Sequence, residues 1–157
     1  MAKTTPATRA LSSAGIAFDV HVYSYDQNAE RIGMQAAEAL SEDPARVLKT
    51  LMARVDGKPV CVILPSDREI SMKKLATAFG GKSAEMMLPA DAERMTGFRV
   101  GGISPFGQRR AVATAIEVTA LDEPYIFLNG GQRGLQLRLD PQAAANALGA
   151  LSVPLIA

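Results

Sequence analysis

One cysteine, one histidine and a formal net charge of +1 in 157 residues remove several kinds of chemistry at the outset. Cys61 alone permits no internal disulfide. His21 alone supports no histidine-based metal cluster, no G-x-S-x-G turn is present to serve a Ser-His-acid hydrolase, and no G-x-G-x-x-G or Gly-Lys-Ser/Thr run marks a nucleotide loop. No cofactor or metal is called for. With a pI near 7.9 there is no global basic field, so any contact with nucleic acid must rest on a local patch. No apolar run approaches the ~20 residues that span a bilayer and no leading segment resembles a signal peptide, so a cytoplasmic protein without membrane contact is expected. What is plentiful is apolar: 48% hydrophobic residues without an internal repeat fit one domain over 1–157 with a sizeable core.

The order of elements reads as mixed α and β. Thr5-Pro6 opens a helix to Ala14 that Gly15 closes, and a strand follows over 17–23. Residues 24–31 are polar and turn-rich, and 33–40 are helical. Asp43-Pro44 predicts a short helical turn over 44–48. Asp56-Gly57 between two apolar runs predicts a β-hairpin. Helices are expected at 71–79, with Ser71 as N-cap, at 89–96, ended by Gly97, and from Asp140-Pro141 to about Leu148; an apolar segment runs over 111–118, and 125–128 and 135–139 read as two strands around a glycine-rich turn. The order is not a regular βαβ alternation, which argues for a largely antiparallel α+β sheet.

Two features carry candidate chemistry. The run Gly101-Gly102-Ile103-Ser104-Pro105-Phe106-Gly107 cannot form regular structure; it is either a tight surface turn or a loop whose backbone approaches a ligand closely. Lys49 stands where the first hairpin strand begins, on the side of Leu51, Ala53 and Val55 and opposite Thr50, Met52 and Arg54, so it either snorkels at a strand end or projects a cation into a site. Arg109-Arg110 flanks the glycine loop and is a candidate phosphate contact. Cys61, between two valines, has no evident cation or base to activate it, and Met86-Met87 and Lys73-Lys74 read as packing and solvated face.

Taken together, Thr5-Pro6-Ala7, Phe18 to Tyr23, Val47-Leu48-Lys49-Thr50-Leu51, Thr96-Gly97-Phe98, the 101–107 loop with Gln108, and Gly130-Gly131-Gln132-Arg133-Gly134-Leu135 resemble the YbaK/EbsC proteins. These are bacterial Cys-tRNA(Pro) deacylases that share their fold with the editing domain of bacterial prolyl-tRNA synthetases. The resemblance implies a single α+β domain with a strongly curved, mostly antiparallel mixed sheet and surrounding helices. It implies trans-editing: removal of cysteine wrongly attached to tRNA(Pro), with the substrate's own thiol as nucleophile. Partners would be the aminoacyl-tRNA 3′ end and tRNA(Pro), with prolyl- or cysteinyl-tRNA synthetase as candidate companions. Carried over residue by residue, Lys49 is the catalytic side chain, and Tyr23, Ile32, Gly33, Thr50, Gly101, Gly102, Ile103, Ser104, Asn129, Gly130 and Gly131 form the substrate pocket. Ile32 stands where the family has an aromatic, Asn129 where it has serine and Gln136 where an acid is common. These departures leave open a different amino acid, such as alanine removed by activated water. A non-catalytic module that binds an aminoacyl-tRNA end or nucleotide-like ligand is the alternative outside enzymes.

Overall fold

Capping residues set the helix ends in the computed structural model, which describes residues 4–29 and 34–157. The Thr5 hydroxyl accepts from the Thr8 N–H while the Thr8 hydroxyl accepts from the Thr5 N–H, and Pro6 occupies the first turn, where its missing N–H costs no bond. Helix α1 therefore runs Pro6–Ser13, and strand β1 (Asp19–Val22) and helix α2 (Gln35–Leu40) follow. Ser71 caps α3 (Met72–Ala78) and Asp140 caps α5 (Pro141–Leu148) through bonds to Lys74 and Ala143 N–H, while α4 (Pro89–Thr96) starts on a proline and stops at left-handed Gly97.

The hairpin joins β2 (Leu48–Val55) to β3 (Lys58–Pro65), with positive φ at both Asp56 and Gly57, as a two-residue turn matched to strand twist requires. The remaining strands are β4 (Ala84–Met86), β5 (Ala113–Glu117), β6 (Ile126–Asn129), β7 (Leu135–Leu139) and β8 (Leu151–Val153). They form a three-stranded sheet, β1-β7-β6, and a five-stranded sheet, β4-β2-β3-β5-β8. Pairing is antiparallel except at β3–β5 and β5–β8, so the fold is α+β with a mixed, mostly antiparallel arrangement.

Two short strands, β4 and β8, escape the sequence reading, because three residues are too few to show a period. Residues 44–46 form turns, and Leu48 is already in the strand. Arg46 and Val47 N–H bond to the carbonyls of Asp43 and Pro44, while the Asp43 carboxylate accepts from Ala45 N–H, so local side-chain bonding ends the helical turn early. The alternation along the hairpin is kept: Leu48, Met52, Cys61 and Ile63 pack into one core, and Ala53, Val55, Val60, Val62 and Leu64 into a second. Full burial of such a side chain stabilises by about 1.5–3 kcal/mol. No described helix is long and apolar enough to cross a membrane.

The break between the sheets sets up the site. β4 pairs with β2 only over Ala53–Val55, and the other sheet reaches this strand only through a parallel bridge between Val47 and Phe127. Positions 49–51 thus carry no strand on that side among the described residues, and side chains of both parities border the gap.

Candidate functional site

A cavity of about 330 Å³ opens at this gap. That size is at the lower end for a small-molecule site. β2 contributes Leu48, Lys49, Thr50, Leu51 and Met52; Ser66 closes the end of the hairpin; Met87, Pro89 and Ala92 form a wall leading into α4. The opposite wall comes from the smaller sheet. Asn129 and Gln136 face each other in the β6–β7 register, Tyr23 follows β1 with its N–H on the Gly134 carbonyl, and Gly101 and Ile103 complete the lining.

Most of the wall is apolar, and its few polar groups are underused. Thr50 Oγ1, Ser66 Oγ and Gln136 Oε1 are all buried without a hydrogen-bond partner, and all three residues line this one cavity. Buried polar atoms are almost always paired, because an unmet one costs about 1–3 kcal/mol. Three at one place leave bonding positions on the cavity wall that a polar ligand or solvent can fill. Two are hydroxyls that can donate or accept, and the amide oxygen can only accept. Lys49, half-buried and opposite Leu64 in the hairpin register, has neither an ion pair nor a hydrogen bond among the described residues, so its ammonium is free for an incoming oxygen. Tyr23 is held protonated above the ordinary tyrosine range: burial is the main cause and neighbouring Tyr25 adds to it, against a hydrogen bond from Gln136. It offers a neutral hydroxyl.

The glycine loop is largely buried from Gly102 to Phe106. Its anchor is the β6–β7 turn. Asn129 Nδ2 donates to the Gly101 carbonyl at 3.2 Å, its Oδ1 accepts from Gly131 and Gln132 N–H at 2.7 and 3.1 Å, and Arg133 Nε donates to the Val100 carbonyl at 2.9 Å. A Cβ at Gly102 would stand 2.8 Å from Arg133 N and 2.9 Å from the Gln132 carbonyl carbon, both backbone, so only glycine lets the loops close on each other. Arg133 also lies over the Tyr25 ring, its guanidinium carbon 5.2 Å from the centroid.

Of the residues singled out from sequence, Lys49, Tyr23, Thr50, Gly101, Ile103 and Asn129 come together around the cavity. Gly102, Ser104, Gly130 and Gly131 lie behind it. Ser104 is fully buried, its hydroxyl accepting from Phe106 N–H and its carbonyl from Gln108 Nε2, and the Gly130 carbonyl accepts from the Thr5 hydroxyl. Ile32 and Gly33 lie outside the described residues. Arg109 and Arg110 line a separate cleft on the other side of α4. Ser66 had no signal beyond being a serine at the end of an apolar strand, and Gln136 was visible only as a departure from a family pattern. Cys61 is 1% exposed, and burial pushes its thiol up to about 12, so it offers almost no thiolate. No group of three His, Cys, Asp or Glu side chains arranged for a metal occurs among the described residues.

Residues 27–146 match the family model of the aminoacyl-tRNA editing domain. The chain is 38% identical over 109 residues to the candidate Cys-tRNA(Pro)/Cys-tRNA(Cys) deacylase EbsC of Enterococcus faecalis, covering 68% of this chain and 66% of that protein. It is 34% identical over 73 residues to the proline–tRNA ligase of Maridesulfovibrio salexigens, covering 46% of this chain and 13% of the ligase. The crystal structure of a candidate trans-editing enzyme for prolyl-tRNA synthetase superposes over 99% of both chains with a TM-score of 0.85 at 20% identity, a likeness of fold.

Proposed function

The chain belongs to the aminoacyl-tRNA editing family, and we infer that residues 1–157 act as one trans-acting deacylase domain that removes cysteine from tRNA(Pro). The observation that carries this reading is the cavity itself: an apolar pocket holding three unpaired buried polar atoms and an unpaired lysine, with no activated protein nucleophile in its wall. Such a pocket suits a small acyl group with a polar head.

Each group then has a task. The Lys49 ammonium meets the ester carbonyl oxygen and stabilises the negative charge that develops there. Gln136 Oε1 accepts from the substrate α-ammonium, and the Thr50 and Ser66 hydroxyls satisfy the remaining oxygens. The cavity confines the cysteine side chain against its own carbonyl, which trades rotational freedom for effective molarity. The substrate thiol gives up its proton, its sulfur bonds to the carbonyl carbon, and the C–O bond to the terminal ribose breaks. The released ribose oxygen takes a proton, leaving tRNA and a cyclic thiolactone that water opens to cysteine.

The test is paired single-turnover kinetics on Cys-tRNA(Pro) and Ser-tRNA(Pro), with trapping of the first product. Cysteine is expected to leave far faster than serine, because a hydroxyl replaces a thiol of much lower pKa at nearly the same size, and a thiolactone is expected before free cysteine. Equal rates, or free cysteine without a cyclic intermediate, would show that water attacks. No ester loss from either substrate would leave a binding module.

A further inference from the structure

The cleft on the far side of α4 concentrates charge that the chain as a whole does not have. Arg54, Arg94, Arg109 and Arg110 line about 260 Å³ with Met95 and a single acid, Asp91, a formal +3 against +1 for the chain. Glu85, opposite Arg54 in the β2–β4 register, does not line it. Three of the four arginines have partners that hold them. Asp91 pairs with Arg94 in close contact and with Arg54 at 3.8 Å, and Arg109 donates to the Arg94 carbonyl at 3.2 Å while its own N–H bonds to the Thr96 carbonyl. Arg110 is exposed and has no partner among the described residues. One acid cannot neutralise four guanidinium groups, and the net positive charge gathered here favours an anion shared among them.

The cleft is built on the same two elements as the cavity. Thr50 and Met52 line the cavity and Arg54 the cleft, all on one face of β2 by the two-residue period, and Thr50 to Arg54 spans about 13 Å of strand. α4 is the shared wall, with Ala92 toward the cavity and Asp91, Arg94 and Met95 toward the cleft. From this placement we propose that the arginine cleft takes the sugar-phosphate backbone of the tRNA acceptor end whose terminal ester occupies the cavity. The proposal rests on the deacylase reading. It assigns a role to Arg54 and Arg94 as well as to the Arg109-Arg110 pair: they bind phosphates, carry no base specificity and position the ester from a distance.

The experiment measures binding of uncharged tRNA(Pro) over a range of salt concentrations for wild type, Arg110→Gln and the double variant Arg109→Gln/Arg110→Gln. Each lost phosphate contact should flatten the slope of log K against log salt by about 0.7–0.9, so the double variant should lose about 1.4–1.8 and bind about tenfold more weakly or worse. Cleavage of a minimal substrate, cysteine esterified to adenosine alone, which carries no phosphate to place in the cleft, should be unchanged. Unaltered slopes in both variants would overturn the proposal, as would displacement of tRNA by polyglutamate as effective as that by single-stranded RNA of equal charge, which would mark an acidic-protein surface. Wild type that binds tRNA with the expected slope yet leaves Cys-tRNA(Pro) intact would defeat the deacylase reading and not the cleft.

Discussion

Replacing Lys49 with methionine isolates its charge, because the apolar stem keeps its place in the strand while the ammonium is lost. The position tolerates this. Lys49 is half-buried, its strand pairing to Leu64 is through the backbone, and it has no side-chain partner among the described residues to leave stranded. Stability should therefore change by no more than about 0.5 kcal/mol. The chemical step should not be spared. At an effective dielectric of about 20, suited to a half-buried group, a unit charge about 4 Å from a developing oxyanion contributes roughly 4 kcal/mol. Only the share that appears in the transition state and not in the bound ester lowers the barrier, and loss of one oxyanion donor typically costs about 2.7–4 kcal/mol. At 1.36 kcal/mol per decade, Lys49→Met should slow single-turnover deacylation of Cys-tRNA(Pro) by about 10²–10³-fold with saturating enzyme. Lys49→Arg retains the charge on a longer, planar group and should recover only part of the rate. A Lys49→Met rate within threefold of wild type, with matched circular dichroism and melting, would refute the assignment. A variant that lost several kcal/mol of stability would show instead that the lysine serves the fold.

Gly102→Ala should destabilise by about 1–3 kcal/mol and slow deacylation together, because the new Cβ meets the Gln132–Arg133 backbone and pushes Gly101 and Ile103 out of the cavity wall; an unchanged melting temperature would mean that the two loops move apart freely. Glu117 should make stability depend on acid. Burial pushes its carboxyl up, but the N–H groups of Leu155 and Thr119, the Thr119 hydroxyl and the Ile156 N–H outweigh burial and hold it below the ordinary 4.5. A depressed folded-state pKa stabilises above the unfolded value and loses that contribution as pH falls through the folded one. The gap in denaturant midpoint between wild type and Glu117→Gln should accordingly be widest at neutral pH and narrow below about pH 4.5, whereas a gap constant from pH 7 to 3 would mean that the carboxylate charge is not what holds the C-terminal segment after β8.

Elements with a local cause were legible in the sequence. The Asp56-Gly57 turn, the Thr5, Ser71 and Asp140 caps and the Gly97 stop each depend on residues within four positions, and the structure ends its elements there. The parallel pairing of β5 with β3 and β8 was not legible. It joins residues about 50 and 36 positions apart by register, as in Val60 with Ala113 and Ala115 with Leu151, and neither segment carries a signal for its partner. The sheet break at positions 49–51 has the same origin, since it depends on where β4 stops and where Phe127 arrives.

That dependence explains why the site was only half visible. Lys49 stood out because a cation heading an apolar row is locally anomalous, and the glycine loop because its composition forbids regular structure. Ser66 and Gln136 are ordinary at their own positions. Each becomes unusual only when the fold buries its polar atom beside two others and supplies no partner, and that is a property of the gap, not of any sequence window. A lysine without an acid and three polar atoms without bonds describe a pocket with unfilled polar positions, and Cys61, too deep to ionise, is not part of its wall. A substrate that carries both its nucleophile and its polar head would suit such a pocket, which is the ground for proposing cysteine esterified to a tRNA end.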